Sequence, residues 1–219
     1  MTLLNKKFAS LLTIIGVITL TLQLSLTISR QVELGHSLLY GLFIYLGYFT
    51  ILTNILCVLV AASHSSKFAD NLGLVWLRKP WVVTTAATSI LNVGIAYHLL
   101  LSQKFNPIGL HYLTNIFHHY ILPILFIYFW WHSVPRGALY WQDLGRIVIY
   151  PISYLLYLII RGELTGLYPY FFLNVSQIGY TETLRNVVGI TLASSVTIVF
   201  MMALKIKRKL PALNTAVVP

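Results

Sequence analysis

The chain has 219 residues, of which 58% are hydrophobic and only 9% are charged. Average soluble proteins carry about 25% charged residues, so this chain has too few charges to cover the surface of a soluble domain. The composition therefore excludes an ordinary soluble enzyme, a disordered chain and a nucleic-acid-binding protein, although the net charge is +10. The single cysteine, Cys57, permits no intramolecular disulfide.

Six apolar segments are long enough to cross a membrane, which takes about 20 residues. They cover residues 8–28, 38–62, 81–101, 112–131, 144–160 and 187–204. The first follows Lys6 and Lys7 as in a signal peptide, but its apolar run is too long for one, so we expect a retained helix. The sequence predicts an all-α fold, one membrane domain over residues 1–219 built as a six-helix bundle, with a basic tail over residues 205–219.

The basic residues fall mostly on one side of the predicted membrane, which indicates the orientation. Eleven of the fifteen Lys and Arg residues share the side of the two termini: Lys6, Lys7, Lys67, Arg78, Lys79, Arg136, Arg146, Lys205, Lys207, Arg208 and Lys209. The other four are Arg30, Lys104, Arg161 and Arg185. Because cytoplasmic loops carry the excess of Lys and Arg, we expect both termini in the cytoplasm.

Uncharged polar side chains recur at helical spacing inside the spans. They include Thr50 and Asn54 in the second span, Asn92 in the third, Asn115, His118 and His119 in the fourth, and Tyr150, Tyr154 and Tyr157 in the fifth. The charged Arg161 continues the tyrosine stripe just past the end of the fifth span. Residues three or four apart lie on one helix face, so we expect these stripes to face one another inside the bundle. Small hydroxyl and amide side chains also serve as packing contacts between membrane helices, and the pattern alone leaves that interpretation open.

The histidine pair is the part of this pattern with the clearest chemical use. A neutral imidazole acts as a general base near neutral pH. No acidic residue lies within a span, and the common hydrolase and phosphate-binding motifs do not occur. A zinc site would require His98, His111 and His118 to converge, so we expect no metal and no cofactor.

Three segments of the chain resemble the Pr6Pr family of bacterial six-span membrane proteins. They are residues 48–54 (YFTILTN), 118–123 (HHYILP) and 150–172 (YPISYLLYLIIRGELTGLYPYFF). That family is similar to the eukaryotic androgen-induced transmembrane hydrolases, which cleave fatty acid esters of hydroxy fatty acids with a threonine nucleophile and a histidine. The aromatic segment ends at Asn174, where an aspartate is more usual in the bacterial family.

The resemblance implies a catalytic dyad of Thr50 and His118, with His119 as a second candidate base. Its implied substrate is a membrane lipid or a lipid-like ester. From helical spacing alone, Asn115 is positioned to orient the histidine, and Asn54 or Asn92 to donate to a developing oxyanion. Tyr154, Tyr157 and Arg161 are expected to line the same polar pocket.

Two other functions fit the same residues. The polar stripes could line the path of a non-catalytic carrier or channel for a small molecule or lipid, with the histidines relaying protons. The protein could also be a membrane scaffold with a degenerate pocket. The aromatic stretch around Tyr168–Phe172 suits either an interfacial belt or a lid over the cavity. The sequence leaves the oligomeric state open.

Overall fold

A computed structural model of the protein describes residues 3–65, 70 and 73–206. The fold is all-α, as predicted: helices make up 84% of the structure, and no strand occurs in the described ranges. Lys67, Lys207, Arg208 and Lys209, four of the residues that indicate the orientation, lie outside the described residues. So does most of the predicted basic tail.

Eight α-helices follow one another along the described chain. They are α1 (Leu3–Glu33), α2 (Leu38–Tyr45), α3 (Phe49–Ser65), α4 (Pro80–Ala96), α5 (Gly109–Ile116), α6 (Leu122–Ser133), α7 (Asp143–Thr165) and α8 (Val175–Lys205). A π-helical turn at Tyr97–Leu101 extends α4, and another at Phe117–Ile121 joins α5 to α6. Short 3₁₀ turns cover Leu74–Arg78 and Phe171–Leu173. Within α8, Gly179 has a positive φ of 76° and kinks the helix.

Five helical segments are long and apolar enough to cross a membrane. They are Lys6–Glu33, Pro80–Leu101, Gly109–Ser133, Asp143–Thr165 and Val175–Lys205. A sixth segment meets the same test if α2 and α3 are taken together, but the two helices are bent by 80° at their junction. The predicted span over residues 38–62 is therefore two helices, of which α2 alone, at 1.5 Å per residue, reaches only about 12 Å.

Helix α4 lies at the centre of the bundle and packs against α3, α6, α7 and α8. Small side chains allow these close approaches: Ala86 and Ala87 are fully buried within the main apolar cluster. On the facing helix α6, the buried Trp130 donates its indole N–H to the Thr84 hydroxyl at 3.0 Å. Most hydroxyls of α4 therefore serve packing, because Thr84, Thr85 and Thr88 also bond back to carbonyls of the preceding turn.

Lys205 ends α8 and is not part of a solvated tail. Its side chain is buried, and its ammonium donates to the Trp131 carbonyl at 2.7 Å. The ammonium also lies over the rings of Trp130 and Trp131, 5.1 Å and 4.4 Å from their centroids. These contacts tie the end of α8 to the end of α6 through hydrogen-bonding and cation–π interactions.

Candidate active site

The site is built around the break between α2 and α3. Backbone groups released by a break in an apolar environment need new partners. Two tyrosines of α7 supply them: the Tyr154 hydroxyl donates to the Gly47 carbonyl at 2.9 Å, and the Tyr157 hydroxyl donates to the Leu46 carbonyl at 3.4 Å. Two members of the predicted tyrosine stripe thus stabilise the bend.

A third tyrosine caps the first turn of α3 from the loop after α7. The backbone N–H of Phe49 donates to the Tyr170 hydroxyl at 3.1 Å. The same hydroxyl lies close to the Thr50 and Tyr154 side chains. Burial raises the pKa of the Tyr170 phenol. It therefore stays protonated at neutral pH and keeps a hydrogen to donate beside Thr50.

The Thr50 hydroxyl contacts His119, the second histidine of the pair. Its Oγ1 lies 3.3 Å from His119 Nε2. The other ring nitrogen, Nδ1, lies 3.0 Å from the backbone carbonyl of Asn115. Because a carbonyl only accepts, Nδ1 carries the proton of the neutral ring, and Nε2 presents its lone pair to the threonine hydroxyl. This is the arrangement required of a general base beside an alcohol nucleophile.

His119 is also held by a stacked ring. Tyr97, the first residue of the π turn that extends α4, stacks on the imidazole with a centroid distance of 3.9 Å and an interplanar angle of 21°. The Tyr97 hydroxyl in turn accepts a hydrogen bond of 2.6 Å from the Asn115 side chain. Asn115 thus acts on His119 twice, directly through its carbonyl and indirectly through Tyr97.

The π turn that carries both histidines has a local cause in the sequence. Pro123 has no N–H to donate to the preceding turn, so a regular helix would lose one hydrogen bond there. The helix widens instead, and the N–H of Leu122 bonds to the Phe117 carbonyl five residues earlier. Gly94 of α4 makes room for this turn, because a Cβ at that position would lie 3.0 Å from the His119 carbonyl oxygen.

His118, which the resemblance pairs with Thr50, has different surroundings. Its side chain is 2% exposed, and its Nε2 has no hydrogen-bond partner among the described residues. The two histidines are consecutive, so they point in different directions from the helix. In the structure it is His119 that lies against Thr50.

The two asparagines expected near an oxyanion are engaged elsewhere. Asn54 donates its side-chain N–H to the Thr50 carbonyl at 2.7 Å, one turn back on the same helix. Its Oδ1 is buried and has no partner among the described residues. Asn92 accepts a 2.7 Å hydrogen bond from Thr197 of α8. Asn92 thus links two helices, and Tyr170 is better placed than either asparagine to donate beside Thr50.

Arg161 lines a cavity of about 260 Å³ on the other side of the break. The surrounding residues come from α2, the break that follows it, α7 and the loop after α7, and include Ile44, Tyr48, Tyr168, Pro169 and Asn174. Arg161 is 5% exposed, and its guanidinium lies over the Phe43 ring, 4.1 Å from the centroid. The loop expected to be a belt or a lid therefore forms one wall of this cavity and also reaches Thr50 through Tyr170.

Sequence reasoning missed Tyr97 and singled out Tyr170 only as part of an aromatic stretch. Tyr97 lies in an apolar run next to the more conspicuous His98, whose own Nδ1 contacts the Tyr120 hydroxyl at 3.2 Å. His98 and His111 do not converge with His118 on a metal: no group of three metal-binding side chains occurs in the ranges that the structure covers.

The chain was compared with protein-family models, with curated proteins and with solved structures, and no match was found in any of the three comparisons.

Proposed function

We propose that the protein is an intramembrane hydrolase of lipid esters, with Thr50 as the nucleophile and His119 as its general base and acid. The observation that carries the proposal is the 3.3 Å contact between Thr50 Oγ1 and His119 Nε2, with Nδ1 fixed on the Asn115 carbonyl. A threonine hydroxyl needs such a base, since it is a weak nucleophile by itself. The proposal keeps the threonine implied by the resemblance and exchanges His118 for His119.

The reaction takes two steps. In the first, Thr50 Oγ1 attacks the ester carbonyl while its proton moves to His119 Nε2. The bond to the leaving oxygen then breaks, the proton passes to that oxygen, and the acyl group stays on Thr50. In the second, water gives its proton to Nε2 and attacks the acyl group, and the proton returns to Thr50 as the free acid departs.

The negative charge that develops on the carbonyl oxygen needs a hydrogen-bond donor close to Thr50. Tyr170 supports this part of the proposal, because its hydroxyl neighbours Thr50 and sits at the first turn of α3. The N-terminal end of a helix also carries a partial positive charge that favours an anion. We assign the oxyanion to this corner, between the Tyr170 hydroxyl and the start of α3.

The distribution of basic residues supports an orientation of the chain in the membrane. We propose that both termini are cytoplasmic, which places the loop containing Tyr170 on the outer side. An ester with two apolar chains would reach Thr50 from the bilayer, so the substrate class is a membrane lipid or a fatty acid ester of a hydroxy fatty acid.

The test is the loss of hydrolysis when only the hydroxyl of Thr50 is removed. We expect Thr50→Val, which keeps the side-chain volume, to lower the release of fatty acid from a branched ester by about 10³-fold or more in purified protein. The matched control is Thr88→Val, because the buried Thr88 hydroxyl bonds only to carbonyls of its own helix. Hydrolysis by Thr50→Val at the wild-type rate would exclude Thr50 as the nucleophile.

A further inference from the structure

We propose that the cavity beside Arg161 binds a carboxylate, namely the free acid end of the ester whose carbonyl reaches Thr50. The inference rests on the proposed function, because it assigns a second contact to the same substrate. Binding of the carboxylate in this cavity makes the enzyme selective for esters that carry a free acid, such as esters of hydroxy fatty acids. Neutral esters with the same chains are then poor substrates.

The first observation is an uncompensated buried charge. Arg161 is 5% exposed, and its Nε and Nη1 have no hydrogen-bond partner among the described residues. A buried guanidinium is costly unless an anion or polar groups satisfy it. Phe43 covers one face of its plane, but a ring accepts none of the in-plane N–H groups.

No side-chain carboxylate in the described part of the structure is placed to meet this charge. All five acidic residues lie in the part that the structure describes. Glu33, Asp70, Asp143 and Glu182 each pair with an arginine other than Arg161. Glu163 accepts instead from the hydroxyls of Tyr168 and Tyr180. The described residues therefore leave Arg161 open to an anion that they do not themselves supply.

The cavity walls suit the end of a lipid. Ile44, Leu167 and Pro169 supply apolar surface, while the Asn174 side chain has a buried Oδ1 that lacks a partner in the described structure. An amide turned about its last bond presents its NH₂ in the same place, so Asn174 is suited to donate to an anion. The volume of about 260 Å³ is below the ~300–1,000 Å³ of pockets that enclose whole drug-sized ligands, so it fits a carboxylate with a short stretch of chain.

The cavity and the Thr50–His119 pair both lie next to the break between α2 and α3. Arg161 lies so close to Gly47 that a Cβ there would overlap its Nη1. The next residue, Tyr48, lines the cavity and meets Tyr170 edge to face at a centroid distance of 5.9 Å. Tyr170 in turn caps α3 beside Thr50. One substrate could thus place its acid at Arg161 and its ester at Thr50, on the two sides of the Tyr48–Tyr170 pair.

The first experiment compares two substrates, a branched ester with a free carboxylate and the same compound with that carboxylate methylated. We expect the wild type to prefer the free acid by about ten- to a hundredfold in kcat/KM, the usual range for a hydrogen-bonded charge. Arg161→Gln should lose this preference, so that the kcat/KM values for the two compounds become equal. The control Arg185→Gln, which removes an exposed arginine paired with Glu182, should retain the preference. Equal rates on both substrates in wild type and Arg161→Gln would overturn the carboxylate site and leave the hydrolase standing.

The second experiment measures binding without turnover. The Thr50→Val protein is heated in detergent with octanoate, methyl octanoate or inorganic phosphate. Of the three compounds, we expect only octanoate to raise the unfolding midpoint. This rise should vanish in the double variant that carries both Thr50→Val and Arg161→Gln. An equal rise with phosphate, or a rise that survives Arg161→Gln, would overturn the assignment. If octanoate binds through Arg161 but the wild-type protein cleaves no ester, the carboxylate site is supported and the hydrolase function is excluded.

A second variant covers the case in which Arg161→Gln does not fold. Asn174→Asp keeps the arginine and adds a carboxylate to the same cavity wall. The new aspartate should pair with the Arg161 guanidinium. The unfolding midpoint should then stay unchanged or rise, and octanoate should no longer raise it. A full octanoate response in Asn174→Asp would contradict the proposed site.

Discussion

Tyr170 and Phe49 are 121 positions apart, yet the Tyr170 hydroxyl accepts the backbone N–H of Phe49 at 3.1 Å. Phe49 is the residue at which helical structure resumes after the 80° bend, and Thr50 follows it directly. The loop after α7 therefore fixes the start of the helix that carries Thr50.

Removing this one hydroxyl should reduce both stability and activity. We expect Tyr170→Phe to leave the Phe49 N–H without its partner and to cost about 1–3 kcal/mol, seen as a lower unfolding midpoint in detergent. Ester hydrolysis should fall further than stability predicts, by about 10²–10³-fold, because an oxyanion donor is lost as well. The control is Tyr180→Phe, which removes an exposed hydroxyl whose hydrogen bonds within the described structure go to Glu163. Hydrolysis by Tyr170→Phe equal to that of this control would remove Tyr170 from the mechanism.

The two adjacent histidines should differ sharply when replaced. We expect His119→Gln to abolish hydrolysis, because Nε2 no longer accepts the proton of Thr50. His118→Leu should keep most of the activity and leave the unfolding midpoint unchanged or higher, since it removes a buried nitrogen that lacks a partner in the described structure. The measurement is hydrolysis and thermal unfolding of both variants side by side. The reverse outcome, with His118→Leu inactive and His119→Gln active, would restore the dyad of Thr50 and His118.

Gly94 should be intolerant of a side chain although it lies inside a helix. An alanine Cβ would meet the His119 carbonyl oxygen at 3.0 Å, so the π turn would have to shift and carry His119 away from Thr50. We expect Gly94→Ala to lower hydrolysis by at least about tenfold. Gly189→Ala is the matched control, because nothing lies within 4 Å of its Cβ, and helix propensity alone should stabilise it by about 0.8–1 kcal/mol. Unchanged hydrolysis in Gly94→Ala would show that the π turn tolerates this displacement.

Asn92 should matter for stability and not for chemistry. Its Oδ1 accepts from Thr197, and we expect the loss of this interhelical bond in Asn92→Ala to cost about 0.6–2 kcal/mol with kcat retained. A double-mutant cycle with Thr197→Val measures the coupling between the two side chains. A large fall in kcat for Asn92→Ala alone, with Thr197→Val unaffected, would return Asn92 to the active site.

The sequence predicts the helical class and the apolar segments well, because hydropathy depends only on local composition. The bend at residues 46–48 is not local: it depends on Tyr154, Tyr157 and Tyr170, which lie more than a hundred positions away. Which of His118 and His119 lies against Thr50 depends on the widened turn before Pro123 and on the approach of Gly94 from another helix. Residue spacing on a regular helix contains neither piece of information.

Asn92 illustrates the same limit from the other direction. Its place on the polar face of α4 predicts a partner inside the bundle, and it has one. Helix α4, however, packs against four other helices, so the sequence did not identify which of them would supply that partner.

The position of the Asn115 carbonyl has a consequence for the movement of protons. A relay takes a proton on one imidazole nitrogen and releases another from the opposite nitrogen. In His119 the opposite nitrogen faces a backbone carbonyl, which cannot carry the proton onward. A proton taken from Thr50 can leave only through Nε2, the nitrogen by which it entered. His119 is therefore a reversible store for one proton, which suits a reaction that borrows and returns it and does not suit a conducting path.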